Sequence, residues 1–161
     1  KFLLNSNECD VDSTFGNGNT VLLHSISEIM PETLEEIKYL IKDKNANVNV
    51  KNDDKMNALH MLTNFTYRAY LSNFLSKEEK KKLTEKNSNE HMKEYKNLLK
   101  EYLELLIDNG CDCNQDNNIG QTPLLLSIEN GNFTFAIELI KMKKREVDVM
   151  KTDLNNRTIF D

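Results

Sequence analysis

The chain has no run of about 18 apolar residues, the length a helix needs to cross a bilayer, so no helical membrane span is expected. No glycine-rich phosphate loop occurs among its five glycines. Cysteine is scarce, with three in 161 residues. Cys111-Asp112-Cys113 lacks the spacing and the partners of a zinc site. His24 and His91 have no carboxylate, Cys or Ser at a recognisable catalytic spacing. Asp112-x-Asn114-x-Asp116 opens like a calcium loop, but Asn117 replaces the required Gly and Pro123 the required Glu. Positive charge is not in excess either. The net charge of −5 gives no overall reason to bind nucleic acid. The expectation is therefore no enzyme, with no catalytic, cofactor-binding or metal residues. No signal peptide is visible, and the chain begins with Lys1 rather than Met, so it is expected to be an excerpt of a longer protein.

What is present is an ordinary globular composition, with 39% apolar and 29% charged residues, enough for one domain with a core. Its clearest local signal runs from Gly120 to Gly131. Gly120 ends a tight turn. Thr122 is an N-cap, and Pro123 sits at the first helical position, where its missing N–H is not needed. An apolar run from Leu124 to Ile128 follows, and Asn130-Gly131 stops the helix. A second helix is expected at once, with Phe133, Ala136, Leu139 and Ile140 at helical spacing.

The same pattern recurs. It opens at Gly18-Asn19-Thr20-Val21-Leu22-Leu23-His24 and at Lys55-Met56-Asn57-Ala58-Leu59-His60, and again at Asn156-Arg157-Thr158-Ile159-Phe160. It closes at Cys9-Asp10-Val11-Asp12 after Leu3-Leu4, at Asn45-Ala46-Asn47-Val48-Asn49 and at Gly110-Cys111-Asp112-Cys113-Asn114. A weaker closing lies at Val147-Asp148-Val149-Met150. The helix-start positions 20, 57, 122 and 158 are 37, 65 and 36 apart. These openings and closings resemble the ankyrin repeat, whose helix start T-P-L-H-x-A recurs about every 33 residues. The resemblance implies an all-α fold, a solenoid of helix-turn-helix repeats with an extended helical insertion in one repeat. The repeats are 1–13 (the end of a preceding one), 14–50, 51–115, 116–151 and 152–161 (the start of a further one). In the first complete repeat the second helix is expected to begin at Thr33, with Thr33 and Glu36 at capping-box spacing.

The long interval marks an insertion over about 63–95. Tyr67, Tyr70, Leu71, Phe74 and Leu75 share one helix face. Ser76 and Glu79 have capping-box spacing ahead of a charged run from Lys77 to Lys82. Asn87-Ser88-Asn89 reads as a turn, and a stripe from Tyr95 to Leu106 follows. Both helices of this repeat are therefore expected to be lengthened and joined at their far end by a short helix or loop. With seven Lys/Arg and five Asp/Glu, residues 63–95 carry +2 on a remainder of −7.

At the repeat's Ala and Val positions, Cys9, Cys111 and Cys113 are expected to be core residues. Unpaired thiols also favour a reducing, intracellular setting, cytoplasm or nucleus. His60 stands at the family's His position, where the ring hydrogen-bonds backbone between neighbouring turns. The resemblance further implies a non-catalytic protein–protein interaction domain: an adaptor, scaffold, inhibitor or targeting module of a larger intracellular protein. The alternatives are a regulatory or substrate-docking part of an enzyme or channel, and a transcription regulator with a basic insertion. The last rests only on the run 77–82 and on Lys141, Lys143, Lys144 and Arg145. The partner is expected to be another protein rather than nucleic acid, with the isolated domain a monomer. In the family, contacts come from turn tips and first helices. Carried over, the tip residues are Asn17, Asn19, Asn52, Asp53, Asp54, Lys55, Asn118 and Gln121, together with Asn155 to Arg157. The insertion adds Tyr67, Arg68, Tyr70 and Phe74.

Overall fold

The computed structural model describes residues 10–142 and 146–161, apart from the side chain of Lys86. Leu3, Leu4 and Cys9, and the basic residues Lys143, Lys144 and Arg145, lie outside the described residues. The fold is all-α. Its helices are α1 (Val21–Ser27), α2 (Thr33–Lys42), α3 (Ala58–Leu62), α4 (Tyr67–Phe74), α5 (Lys77–Lys81), α6 (Glu85–Asp108), α7 (Pro123–Glu129) and α8 (Phe133–Lys141). Among the described residues no strand forms; the Phe15–Asn19 pairing is an isolated bridge. No described helix is long and apolar enough to cross a membrane.

Capping chemistry fixes the helix starts. Thr20, Asn57 and Thr122 each take an extended conformation, and each side-chain oxygen accepts the N–H three residues on, at Leu23, His60 and Leu125. Asn57 thus does the work of the threonine it replaces. Its own N–H is taken by the His60 ring, completing a reciprocal box. Pro123 sits in the first turn of α7, and Gly131 follows the Asn130 C-cap at φ +72°, as expected.

The helices pack in series. α1 rests on α2 and α3, α3 on α7, α7 on α8, and α6 on both α3 and α8. α1, α2, α3, α7 and α8 each bury apolar residues, whereas α5 buries none. Leu22, Leu23, Leu59, Leu62, Leu106 and Leu124 are at most 1% exposed. Removing the Leu124 side chain beyond Cβ is expected to cost about 2–5 kcal/mol.

Three local expectations are corrected. Thr33 is not a cap: it is the first residue of α2, Glu32 precedes it, and its hydroxyl accepts the Met30 N–H at 2.8 Å. The Met30–Thr33 turn, closed by Thr33 N–H to Met30 C=O at 3.0 Å, has already claimed that side chain. Asn87-Ser88-Asn89 is not a turn but part of α6, because Thr84 caps the helix upstream by accepting the Asn87 N–H. The first helix of the inserted repeat is not lengthened. α3 ends at Leu62, where the Thr63 hydroxyl donates to His60 C=O at 2.7 Å. The chain breaks there to bury Phe65 at 3% exposure, and Thr66 caps a separate helix, α4. The second helix is lengthened, to the 24 residues of α6, and α5 joins the two, capped by Ser76 and Glu79.

Candidate functional site

One turn recurs four times, ahead of α1, α3 and α7 and again at the C-terminal end. The N–H of its first residue donates to the C=O four residues on: Phe15 to Asn19 at 2.9 Å, Asn52 to Met56 at 3.1 Å, Asn117 to Gln121 at 3.0 Å and Asp153 to Arg157 at 3.0 Å. Its fourth residue has positive φ, at Gly18, Lys55, Gly120 and Asn156. In three copies a side chain closes the turn from inside. Asn52 Oδ1 accepts from Asp54 and Met56, Asn117 Oδ1 from Ile119 and Gln121, and Asp153 Oδ1 from Asn155 and Arg157. Such side chains favour local backbone bonds over helix or strand, which is why they hold turns. Phe15 occupies this place in the first turn, which a reciprocal backbone pair with Asn19 closes instead.

The turns are joined edge to edge. Asp53 N–H donates to Asn17 C=O at 3.0 Å, Asn118 N–H to Asp54 C=O at 2.9 Å, and Leu154 N–H to Ile119 C=O at 3.2 Å. Side chains reinforce two of these joints: Asn52 Nδ2 donates to Asn19 Oδ1, and Asn118 Nδ2 to Asp54 Oδ1, both at 3.2 Å. The result is one ordered strip. Asn17, Asp53, Asp54, Lys55 and Asn118 are exposed along it, Asn19 is half-buried, and Asn155, Asn156 and Arg157 continue it. Asn52 and Gln121, expected among the contact residues, are buried within the turns. Gln121 is tied down by its amide to the Glu129 carboxylate and by its carbonyl to His60 Nε2 at 2.9 Å. Beside the strip lies a hollow of about 510 Å³ lined by Lys51, Lys55, Gln115, Asp116, Asn118 and Leu154. It is polar and mixed in charge, and Lys151 neutralises Asp116 across 2.9 Å.

The insertion residues have other partners. Tyr67 Oη donates to Ser88 C=O at 3.0 Å and Tyr70 Oη to Glu94 Oε2 at 2.7 Å. Phe74 packs on Tyr70 and Phe65, with ring centroids 5.1 and 6.0 Å away. Tyr70 is buried, Tyr67 and Phe74 are half-buried, and only Arg68 of this group is exposed. The aromatic stripe faces α6 and forms a core there. The bonds from Tyr70 and His91 hold the Glu94 carboxyl below the usual carboxylate range. Lys77 and Lys80 to Lys82 are exposed around α5, and Lys80 donates to Ser72 C=O at 2.9 Å.

The buried groups do structural work. His60 Nε2 faces a carbonyl that can only accept, so Nε2 carries the proton and Nδ1 takes the Asn57 N–H at 3.2 Å. Burial lowers this ring's pKa to about 4, so it is neutral near pH 7. Cys111 and Cys113 are buried at the positions of Ala46 and Val48.

The spacing of Asn52, Asn117 and Asp153 repeats the intervals of 65 and 36 seen at the helix starts, so these turn-closing side chains were findable from sequence. The burial of Gln121 was not, because it depends on His60, a residue 61 positions away. In comparison with known proteins, no family model matches the chain, and no curated protein matches it.

Proposed function

We propose that the chain is an ankyrin-repeat domain that recognises another protein through its turn strip. On this reading it is a non-catalytic adaptor, scaffold, inhibitor or targeting module working inside the cell. The observation that carries the reading is the fourfold turn, with successive copies bonded at Asp53–Asn17, Asn118–Asp54 and Leu154–Ile119. Those bonds use up the backbone groups at the joints. They leave a preordered row of polar side chains whose fixed backbone lowers the entropy cost of binding.

The test is retention of a partner from a lysate of the source cells, measured with the intact chain and with one triple variant. Asp53→Ala, Lys55→Asn and Asn118→Ala all lie on the exposed strip, so each is expected to change stability by less than about 1 kcal/mol. The triple variant should melt near the parent temperature yet lose the partner. Lys93→Glu on the exposed side of α6 should keep it. If the triple variant retains the partner as well as the parent does, the strip is not the recognition surface.

A further inference from the structure

Three of the five glycines follow an asparagine: Gly18, Gly110 and Gly131. An Asn-Gly peptide carries its own route to modification. The glycine nitrogen can attack the asparagine carboxamide, because no Cβ on the glycine hinders the approach. Asn17, Asn109 and Asn130 are all exposed, so access to water does not separate them. Their bonding does. Gly110 N–H donates to Ile107 C=O and Gly131 N–H to Ile128 C=O, both at 3.0 Å. Each bond belongs to a Schellman helix end, and the second bond of each motif is present too. Cys111 N–H donates to Leu106 C=O at 3.0 Å, and Asn132 N–H to Ser127 C=O at 2.7 Å. Cys111 and Asn132 are buried, which anchors both helix ends. The Asn109 carboxamide is engaged as well, donating to Leu105 C=O at 2.7 Å.

The turn ahead of α1 is built differently. Asn17 and Gly18 are its central pair, at φ +56° and +68°, inside an Asn19 N–H to Gly16 C=O bond of 3.3 Å. This is the type I′ hairpin turn, for which Asn-Gly is a favoured pair. In the other three turns the fourth residue's N–H is used: Lys55 donates to Asn52 C=O, Gly120 to Asn117 C=O and Asn156 to Asp153 C=O. Here Asn19 N–H takes Phe15 C=O instead, at 3.0 Å, and Gly18 N–H has no acceptor among the described residues. The Asn17 carboxamide has no partner among them either. One backbone bond holds the peptide between the two residues, Asp53 N–H to Asn17 C=O at 3.0 Å.

We propose that Asn17 is a site of spontaneous deamidation, with water as the co-reactant, and that its conversion rewrites the joint between the turns ahead of α1 and α3. Gly18 N bonds to Asn17 Cγ as the Cγ–Nδ2 bond breaks. The Gly18 proton passes through solvent to Nδ2, which leaves as ammonia. Water then opens the cyclic imide at one of its two carbonyls. Opening at Cγ gives aspartate and leaves the main chain intact. Opening at the main-chain carbonyl gives isoaspartate, whose backbone runs through Cβ and Cγ. The oxygen that accepted Asp53 N–H is then part of a free carboxylate, and the backbone is one carbon longer, so the joint loses its register. Either product adds a negative charge beside Asp53 and Asp54, both exposed. That this alters recognition rests on the reading of the strip proposed above. The modification itself does not, and it is read on the isolated chain.

Incubation of the 161-residue chain at mildly alkaline pH, followed by peptide mass, tests this. Replacement of NH2 by OH marks each converted peptide. Each hydrogen bond that must open to free the attacking groups slows a site by about two- to tenfold. In the native state Asn17 should therefore convert at least about fivefold faster than Asn109 or Asn130. In urea the turns and helix ends are gone, and the three rates should come within about twofold of one another. In the aged chain, hydrogen exchange at the Asp53 amide should speed up in proportion to the isoaspartate content. Asn17→Asp supplies the charge with the main chain unchanged, and should leave that exchange as in the parent. Native conversion of Asn109 or Asn130 as fast as Asn17 overturns the proposal. So does an Asn17 rate that rises in urea as much as theirs, or Asp53 exchange that stays unchanged as isoaspartate accumulates. None of these readings uses a partner, so loss of the recognition reading would leave them standing.

Discussion

His60 is wholly buried, and that burial pulls its pKa from the ordinary 6.5 to about 4. Between those values the unfolded chain holds a proton that the folded chain does not. Its contribution is therefore complete above about pH 6.5 and is lost as pH falls toward 4, by about 3 kcal/mol in all. Urea midpoints are expected to fall across this window, and His60→Gln to flatten the fall while lowering the midpoint near pH 7. Glu94 and Asp153 are held below the usual carboxylate range, so their contributions go at lower pH still and remain in the variant. An unchanged slope in His60→Gln would show that another group carries the dependence. Cys111 gives a second residue-scale prediction. Burial pushes its thiol up to about 12, and Sγ lies 3.4 Å from Val48 C=O. Reagents that attack thiolates should modify Cys111 slowly in the native state and rapidly in urea, read by peptide mass. Equal rates would place the thiol at the surface. At this scale much was legible, because caps are local chemistry. Thr122, Pro123 and Gly131 needed no knowledge of the fold. Thr33 did, since its hydroxyl is claimed by a turn that the capping pattern does not contain.

The insertion sets the lesson at the scale of elements. Its helical stripes were readable, but its breaks were not. Asn87 to Asn89 are weak helix formers, yet the Thr84 cap and the bond from Tyr67 to Ser88 C=O hold them in α6. Phe65 interrupts what the sequence suggested was one long helix, because its ring fills the space between Phe74, Tyr95 and Tyr102. Tertiary packing outweighed periodicity at both places. The insertion is also bound to its neighbours. Asn73 Nδ2 donates to Ile29 C=O at 2.8 Å, beyond the end of α1. On the other side, Asn132 Nδ2 donates to Thr63 C=O at 2.8 Å, and Tyr95 Oη donates to Asn132 Oδ1 at 3.4 Å. It therefore braces repeats on both sides. Replacing residues 66–92 with a Gly/Ser linker is expected to lower the melting temperature. Asn132→Ala, which strips a buried cap and removes the side-chain donor to Thr63 C=O, should cost about 1–3 kcal/mol. A linker variant as stable as the parent would mean that the insertion packs on the repeats without supporting them.

Across the whole molecule the intervals of 37, 65 and 36 were the legible quantity, since they reappear in the turns and in the closing loops. The way the repeats bond to one another was not, because each joint pairs residues 33 to 64 positions apart that no local pattern links. Packing in series has an energetic consequence. α1 meets α2 and α3, whereas α6 meets α3, α4 and α8, so damage at the two places should spread differently. In a one-dimensional array, stability is nearly a sum of unit and nearest-neighbour terms, and an end can open while the rest stays closed. Leu22 and Leu106 are both at most 1% exposed, so truncation of either to Ala is expected to cost about 2–5 kcal/mol. Native-state hydrogen exchange should separate them. Leu22→Ala should lose protection in α1 and α2 while α7 and α8 keep theirs. Leu106→Ala lies in α6, which packs on α3, α4 and α8, and should lower protection in all of these. If Leu22→Ala lowers protection in α8 as much as in α1, the chain unfolds as one unit. The insertion, which touches both flanks through Asn73 and Asn132, would then be the element that couples them.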